Sequence, residues 1–589
     1  MTNDRLPTPA LRRATASGPG RRRPQRRGAL LVHALAVMAL SSLGACAAEN
    51  AFTGEGDELV ELDSSASQAA ASHAAASHAA ASAAVANALP KTSRRRSASS
   101  EIDSTTWYVR VDGGDADQCT GRADAAYPGS GTGEACAWKH PFFALSPDGA
   151  IRIAGGDTLL IGSGDYMMGR GAPGAGECSG KDCHMPPVPS GPTATTPTRI
   201  LGDSRSAPPV LWGSGGADRI LNLEGSSNVE IGILDVTDRD DCVHNHSAAG
   251  ADCPARGSGH WAGAGLFARA SRNVRLHDLR IHGMAQQGIR AGGLSDWTLE
   301  RVKLIANGRA GWDGNVGDDG SNSGRIVLRE IEIGWNGCGE RWKTGEPWAC
   351  WAQKTGGYGD GLGTTETGGH WLVEDAYIHH NTSDGLDLRY MDGKDSTHVT
   401  VRRTHAVANA GNQVKVRGNA TIENSVLVSQ CAYFRGKHFM VEGDHCRAGG
   451  NTLQLVPTSN DTISVRHNTI TGEGGVLIGA NEGDSSNRID IRNNVLIGFP
   501  TFRNPDVRSA VYYANDAPAR VNWDGNLVWN VKRGKCPEGS ICDQDPKLAN
   551  MTLPGFDAEP LPGSPVIDRV SPPPRRPHGP PRPQGSQPR

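Results

Sequence analysis

Three short patterns between residues 359 and 418 carry the side chains best suited to chemistry. They read Gly-Asp360-Gly-Leu-Gly, Ser383-Asp384-Gly-Leu-Asp387-Leu and Gly-Asn412-Gln-Val-Lys415-Val. In each pattern a polar residue stands two positions before an apolar residue, at the start of a short predicted strand. Alignment of Asp360, Asp384 and Asn412 gives spacings of 24 residues (384 − 360) and 28 residues (412 − 384). The three patterns are therefore interpreted as copies of one repeating unit.

This repeat length predicts how the side chains are arranged in space. One strand per turn at this spacing is typical of a parallel β-helix, in which neighbouring strands lie about 4.8 Å apart. Equivalent positions then stack along the axis, so the three aspartates and Lys415 are predicted to gather on one outer face. Carboxylates bind cations, and an amine beside them can act as a general base, so this group of residues suits a cation site next to a base.

The repeat continues on both sides of these patterns. Each further copy is a pair of short alternating strands with a polar kink between them, at residues 273–283, 297–308, 325–336, 371–381, 399–409, 420–428, 462–472 and 488–498. Alternation with period two places Val, Ile and Leu inside and Arg, His and Glu outside. The 76 glycines suit tight turns that need a positive φ. We predict an all-β, right-handed parallel β-helix over residues 106–570, whereas a sandwich or propeller would show short hairpin turns.

The chain ends have a different composition. Residues 1–46 resemble a lipoprotein signal, with a basic segment, an apolar run and an acceptor Cys46. An ordinary secretory signal is the alternative. Residues 47–105 are rich in Ala, Ser and His and predict a disordered linker, and residues 571–589 predict a Pro/Arg-rich disordered tail. We expect an exported protein, held at the outer membrane or cell surface by a lipid anchor, or alternatively secreted or periplasmic.

Cysteine usage also indicates export. Of 13 cysteines, the twelve besides Cys46 fall into six pairs of close neighbours: Cys119/Cys136, Cys178/Cys183, Cys242/Cys253, Cys338/Cys350, Cys431/Cys446 and Cys536/Cys542. Such pairs predict disulfides that staple loops. The formal net charge of −3 gives no reason to expect a nucleic-acid partner, and we expect a monomer.

Residues 359–418 resemble the family 9 polysaccharide lyases. In that family one coil carries Asp-Gly-Phe, the next Asp-Asp-x-x-Asp and the third Asn-Gly-Phe-Lys; here Ser383 stands where the family has an Asp. The resemblance implies that Asp360, Asp384 and Asp387 bind Ca²⁺ and that Lys415 is the Brønsted base. Ser383 would supply a weaker neutral oxygen.

The implied reaction is β-elimination on a polymer that contains uronic acid. Ca²⁺ would withdraw charge from the uronate carboxylate, Lys415 would take the carbon-5 proton, and Arg389 or Arg417 would hold the carboxylate. Alternation predicts that Lys415 stacks over Asp387 and Arg417 over Arg389. One difficulty is that nearby carboxylates favour the protonated lysine, so bound Ca²⁺ would have to lower its pKa.

Other interpretations of the same residues stay open. Asp-Gly pairs also cap turns, which would make this a non-catalytic surface protein that binds glycans or envelope partners. Asp384 and Asp387 would alternatively serve a glycoside hydrolase, which needs two carboxyl groups and no lysine. An epimerase uses related proton abstraction. The acidic polysaccharide itself is not identified by the sequence.

Three weaker groups are also noted. Asp313, Asp318 and Asp319 would bind a second Ca²⁺, line a cleft or lie in a solvated loop. The histidines His379, His380, His438 and His445 are catalytic candidates or merely solvated. The tryptophans Trp342, Trp348 and Trp351 would form a platform for sugar rings or pack within a loop.

Overall fold

A computed structural model gives the fold. It describes residues 104–239, 262–317, 320–340, 349–350, 359–391, 397–434, 451–473, 476–480, 483–498, 509–513, 520–531, 536–553 and 555–567. All of them belong to one compact unit, Ser99–Arg589. The signal segment with Cys46, residues 47–103 of the predicted linker and the predicted tail lie outside the described residues. Thr105, the last residue of the predicted linker, already donates its N–H to Asp157 Oδ1 (2.9 Å).

Parallel strands stack along one axis in three columns. Two columns form a 23-stranded sheet, and the third column is a separate 10-stranded sheet. Each turn of the chain passes through the first column, a kink, the second column and then the 10-stranded sheet before it returns. The predicted β-helical path is confirmed, because strands such as His370–Glu374 and Leu386–Leu388 pair in parallel with the equivalent strands of the next coil, His398–Arg402 and Val414–Arg417.

The strand bounds follow these columns. The first column contains Thr106–Gly114, Thr158–Ile161, Thr198–Gly202, Ser227–Asp238, Arg272–His282, Ser295–Ile305, Ser323–Arg329, His370–Glu374, His398–Arg402, Ala420–Glu423, Thr462–Arg466, Arg488–Arg492 and Arg520–Asp524. The second contains Asp165–Met168, Val210–Gly213, Glu332–Gly334, Tyr377–His379, His405–Val407, Val426–Ser429, Thr469–Gly472, Val495–Gly498, Leu527–Trp529 and Ile541–Cys542. Three long strands, Ser227–Asp238, Arg272–His282 and Ser295–Ile305, run through both columns.

The 10-stranded sheet consists of Arg219–Asn222, Ala264–Arg269, Gln287–Gly292, Ala310–Asp313, Leu362–Gly363, Leu386–Leu388, Val414–Arg417, Leu453–Val456, Val476–Ala480 and Ser509–Tyr513. Two short antiparallel pairs lie outside the columns: Cys338–Gly339 with Ala349–Cys350, and Leu548–Asn550 with Asp557–Pro560. The helical elements described are two 3₁₀ turns, Pro141–Phe143 and Cys431–Phe434.

The kink between the first two columns is made by one residue in the left-handed region. Arg301, Glu330, Asp375 and Arg403 have φ of 53°, 52°, 53° and 48°. A residue with a side chain prefers to avoid this region by about 1–2 kcal/mol. The sequence predicted a polar kink between the two strands of each copy, and these four kinks are made by charged residues. Strand pairing on both sides holds the backbone in this conformation.

Inward side chains of the three columns fill one continuous apolar core. Leu386, Leu388, Val414 and Val416 are all fully buried, and they alternate with the outward positions of the 10-stranded sheet. Each buried aliphatic side chain of this size contributes about 1.5–3 kcal/mol. The predicted alternation of this segment is thereby confirmed.

A ladder of buried amides closes the corner between the second column and the 10-stranded sheet. Asn381 accepts from the backbone N–H of Asn336 (3.1 Å) and from its Nδ2 (2.8 Å) through one side-chain oxygen. Its own Nδ2 donates to Asn409 Oδ1 (2.7 Å) and to the carbonyl of Ile333 (3.2 Å). Each rung thus ties three successive coils together, which fixes their relative register.

Four of the six predicted disulfides are present. They are Cys119–Cys136, Cys178–Cys183, Cys338–Cys350 and Cys536–Cys542. The pairs 242/253 and 431/446 stay predictions, because Cys242, Cys253 and Cys446 lie outside the described residues. Within the described part of the chain, no helix is long and apolar enough to span a membrane.

The amide ladder generates a stability prediction. Replacing Asn381 with Ala should lower the free energy of unfolding by about 3 kcal/mol or more, because each buried polar group left without a partner costs roughly 1–3 kcal/mol. Thermal unfolding of the purified domain measures the effect. The matched control is Asn522→Ala, which removes an exposed amide that bonds Asp490 on the outer face. Equal melting temperatures for the two variants would contradict a structural role of the ladder.

Candidate functional site

The 10-stranded sheet presents one outward column of polar residues. In register along the axis, Asp313 pairs with Gly363, Gly363 with Asp387, Asp387 with Lys415 and Lys415 with Gln454. The strands that carry these residues are held on the inner side by buried apolar residues, which are Trp312, Leu362, Leu386, Val414 and Leu453. The alignment that the sequence predicted for Asp387 and Lys415 is therefore the alignment of the structure.

Lys415 lies between two carboxylates. Its Nζ donates to Asp384 Oδ2 and to Asp387 Oδ2, at 3.0 Å each. The side chains of these three residues are only 14%, 4% and 17% exposed. A nearly buried ammonium thus lies between two nearly buried carboxyl groups at the base of the site.

The turn before each strand of this sheet orients the aspartates. The backbone N–H of Asp384 donates to Asp360 Oδ1 (2.9 Å), and the N–H of Asn412 donates to Asp384 Oδ1 (2.6 Å). The side chain of Asn412 in turn donates to the carbonyl of Asn451 (2.8 Å). Gly411 is required beside Asp384, because a Cβ there would lie 2.1 Å from Asp384 Oδ1. The equivalent polar residues thus position one another from coil to coil.

Burial and charge act against each other on the titrating groups. Burial disfavours the charged form of Lys415, but the charges of Asp384 and Asp387 outweigh it, so its pKa lies above the usual value. Burial raises the pKa of Asp387, and the attraction of Lys415 offsets only part of that increase. In this arrangement Lys415 is an ammonium ion, not a free base.

These groups form the floor of a pocket of about 330 Å³. The predicted site residues Asp360, Ser383, Asp384, Asp387, Arg389 and Lys415 all line it. Arg389 stands at the rim, where its guanidinium lies 5.5 Å from the ring centre of Tyr390. Tyr390 is 43% exposed. The pocket combines a charged floor with an aromatic and cationic edge.

One predicted substrate-binding residue has a different place. Arg417 follows Lys415 by two positions in the strand Val414–Arg417 and pairs with Val456 of the next coil. It is not among the residues that line the pocket. Arg389 reaches the pocket because its strand ends at Leu388 and the chain turns there. The predicted stacking of Arg417 over Arg389 is therefore not part of the strand pairing.

The structure adds residues that the repeat pattern did not indicate. Trp312, Asn315, Thr364, Thr365 and Tyr390 also line the pocket. Most of them lie in the turns that leave the strands, where the sequence has no fixed periodicity. The sequence contained one signal for these additional residues, which is that Tyr390 directly follows the candidate substrate-binding residue Arg389.

The weaker sequence candidates separate into three outcomes. Asp313 lies in the pocket wall, which is one of its predicted roles. His379 and His380 contact each other through their Nδ1 atoms (3.1 Å), and His380 stacks on Trp335 with ring centres 4.4 Å apart. The remaining candidates lie outside the described residues: Asp318, Asp319, Trp342, Trp348, Trp351, His438 and His445.

The donor set of the pocket fits a hard cation such as Ca²⁺. Aspartate and serine oxygens are its preferred ligands, and two of the aspartates already share a positive group, the Lys415 ammonium, at 3.0 Å. Among the described residues, no group of three or more His, Cys, Asp or Glu side chains is already arranged as a metal site. A metal would therefore compete with Lys415 for Asp384 and Asp387.

Comparison with known proteins agrees with the observed fold. Residues 264–453 match the family model described as a right handed beta helix region. Together with the three parallel columns, this defines the protein as a right-handed parallel β-helix. The search of curated proteins finds no match.

Several solved structures are similar to this chain. One is the pectate lyase Pel9A, at 14% identity and a TM-score of 0.36, over 72% of this chain and 79% of that chain. Another is the A-module of mannuronan C-5 epimerase AlgE6 of Azotobacter vinelandii, at 10% identity and a TM-score of 0.35, over 66% and 91%. A third is a rhamnogalacturonan lyase, at 12% identity and a TM-score of 0.27, over 71% and 87%.

The buried charges predict a pH-dependent stability in one variant. Lys415→Met should lower the free energy of unfolding by about 3–5 kcal/mol near neutral pH, since removal of one partner leaves buried charge uncompensated. The pKa of Asp387, already raised, should rise further without Lys415. A carboxyl group whose pKa is raised in the folded state destabilises the protein when it is ionised. Stability of the variant should therefore recover as the pH falls through that raised pKa.

Denaturant unfolding of the metal-free protein over a pH series measures this effect. The matched control is Lys303→Met. Lys303 is more exposed than Lys415 and pairs with Glu332, and both residues lie on the 23-stranded sheet. The control should lose little stability, because exposed ion pairs contribute about 0–1 kcal/mol. A loss in Lys415→Met that does not change with pH would show that the charge balance is not its cause.

Proposed function

We propose that this protein is a polysaccharide lyase that cleaves a polymer containing uronic acid by β-elimination. The observation that carries the proposal is the position of Lys415 Nζ, 3.0 Å from Asp384 Oδ2 and 3.0 Å from Asp387 Oδ2 on the floor of a pocket. β-Elimination needs a base for the carbon-5 proton and positive charge near the uronate carboxylate. In this pocket Lys415 would supply the base, and Arg389 would supply the positive charge near the carboxylate.

Each side chain has a distinct role in this proposal. Arg389, exposed at the rim, would bind the uronate carboxylate through a charge-assisted pair of hydrogen bonds. Tyr390 beside it would pack against a sugar ring. Lys415 would remove the proton from carbon 5, and a double bond would form between carbons 4 and 5. The bond between carbon 4 and the glycosidic oxygen would break, and that oxygen would leave with the bonding electrons and take up a proton from solvent.

Asp360, Asp384 and Asp387 would hold Ca²⁺, with Ser383 as a neutral ligand. When bound, the ion would supply charge withdrawal from the uronate carboxylate and would offset the charge of the aspartates. Lys415 would then lose the two attractions that raise its pKa. Its amine would become available as a base, which answers the difficulty that its protonated state poses.

Activity should appear as absorbance of newly formed unsaturated uronate ends. We expect a rise with Ca²⁺ on at least one of polygalacturonate, pectin, alginate and glycosaminoglycans, and no rise with chelator. Lys415→Ala should lower the rate at least ~100-fold, the usual contribution of a positioned proton-transfer group. Lys303→Ala is the control and should keep the full rate, since Lys303 lies outside this pocket.

Three other results would separate the alternatives. New reducing ends without ultraviolet absorbance would indicate hydrolysis. Changed uronate stereochemistry without chain cleavage would indicate epimerisation. Saturable binding of a glycan by a folded, disulfide-bonded protein that changes none of these polymers would leave a glycan-binding surface protein.

Competition between Lys415 and the metal gives a separate prediction. Lys415→Ala should bind Ca²⁺ roughly tenfold more tightly than the unmodified protein, because a binding contribution of about 1.4 kcal/mol changes affinity tenfold. Asp384→Asn should weaken binding by a similar factor or more. Isothermal titration calorimetry measures both. Unchanged affinity in both variants would place any Ca²⁺ site away from this pocket.

A further inference from the structure

The outward column of the 10-stranded sheet continues beyond the pocket floor to Arg290. Asp387 pairs with Gly363, Gly363 with Asp313, and Asp313 with Arg290 in successive coils. Ile289, the residue before Arg290, is fully buried, so the side chain of Arg290 points outward on the face that carries the pocket. Three strand spacings separate Arg290 from Asp387, which corresponds to roughly 14 Å along the axis.

The backbone of Asn315 holds Arg290 at the end of the pocket. Arg290 Nε donates to the carbonyl oxygen of Asn315 (3.1 Å), and Asn315 lines the pocket. The N–H of Asn315 donates to Asp313 Oδ1 (2.8 Å), and Gln287 Nε2 donates to Asp313 Oδ2 (3.1 Å). Asp313 therefore bonds to neutral donors and forms no ion pair with Arg290, although these two described residues are neighbours in register.

Within the described ranges of the chain, the guanidinium of Arg290 has no acidic partner. Its Nε bonds to Asn315, and its Nη1 and Nη2 have no hydrogen-bond acceptor among these residues. The side chain is partly exposed, which leaves it accessible to a ligand. Arg219 in the first strand of the same sheet is different, because it pairs with Asp218 (2.8 Å) and Glu224 (3.2 Å). A guanidinium with two unused nitrogens binds a carboxylate through a pair of charge-assisted hydrogen bonds.

We infer that Arg290 binds a second carboxylate of the same polymer, on a sugar unit other than the uronate that reacts. This inference rests on the proposed function, which places the reacting uronate at Arg389 and Lys415. Arg389 follows Asp387 in the same coil, and a single sugar ring is too short to cover the roughly 14 Å between that coil and Arg290. The two arginines therefore contact different units of one chain, which lies along the axis of the coils. Such a site favours a continuous run of uronates over a polymer in which charged units are sparse.

Asp313 opposes this attraction without cancelling it. It is the neighbour of Arg290 in register and repels the carboxylate of the substrate. Arg290 contacts the substrate directly through two hydrogen bonds, whereas Asp313 acts across a strand spacing of about 4.8 Å. Asp313 is also partly exposed, and charge interactions are weaker near water. Replacement of Asp313 with Asn should therefore strengthen binding of the second carboxylate, whereas loss of Arg290 should weaken it.

Kinetics on oligouronates test the site. The probes are the octamers of galacturonate and of mannuronate, which are long enough to reach from Arg389 to Arg290, and the octamer that is cleaved is used. Arg290→Gln should raise KM at least ~tenfold, which corresponds to about 1.4 kcal/mol, and should leave kcat unchanged, because Arg290 touches no reacting atom. Arg290→Lys keeps the charge and should recover part of the loss. Asp313→Asn should lower KM several-fold.

The matched control is Arg488→Gln. Arg488 is exposed on the first column and, within the described residues, also has no ion pair, but it does not line the pocket. Its replacement should leave KM unchanged, which separates an effect of the site from a loss of positive charge in general. A KM that stays unchanged in Arg290→Gln, stays equally high in Arg290→Lys, rises in Asp313→Asn or rises equally in Arg488→Gln would overturn the inference and leave the lyase proposal intact.

Failure of the proposed function gives a different result. If neither octamer is cleaved, calorimetry compares the binding of the dimer and the octamer to the full chain. Tighter binding of the octamer that is lost in Arg290→Gln would support the second carboxylate site and reject a lyase acting on these uniform polyuronates. Equal binding of dimer and octamer, absent binding, or octamer binding that Arg290→Gln does not change would overturn the inference as well.

Discussion

The register between successive coils is the constraint on which the rest of this structure depends. Because side chains alternate with period two, a slip of one residue would turn every outward side chain of a strand inward. Lys415 would then enter the apolar core, and Val414 or Val416 would face the pocket. Backbone pairing of Asp387 with Lys415 and the buried amides of Asn336, Asn381 and Asn409 prevent this slip. Structural and candidate functional residues are therefore parts of one periodic arrangement.

The same register explains why charges accumulate where they do. Stacking places equivalent residues roughly 4.8 Å apart, which is close enough for strong attraction or repulsion between coils. On the first column this favours stability, since the buried Glu374 contacts Arg329 on one side (2.7 Å) and Arg402 on the other (2.6 Å). On the 10-stranded sheet, Asp384 and Asp387 share the single ammonium of Lys415. In the first arrangement two guanidinium groups contact one carboxylate, whereas in the second one ammonium contacts two carboxyl groups.

The periodic pattern allowed much of this to be predicted from the sequence. The alternation of residues along the strand predicts that Leu386 and Val414 point inward. Together with the repeat length, it also predicts the pairing of Asp387 with Lys415. A polar kink was predicted in each copy, but not its left-handed conformation at charged residues such as Arg301 and Asp375, because intrinsic propensity favours glycine in that conformation. Tertiary pairing on both sides overrides that local preference.

The alternation of residues along a strand predicts whether a side chain points inward or outward, but it does not predict which residues that side chain contacts. Arg389 and Arg417 stand in equivalent places, each two residues after a site residue, and both were expected to hold substrate. Val414–Arg417 continues as a strand through Arg417, whereas the strand before Arg389 ends at Leu388. The end of that strand lets the chain turn and brings Arg389 and Tyr390 to the pocket. Strand length is set by the packing of whole coils, and in this pocket Arg389 and Tyr390 lie where the regular repeat ends.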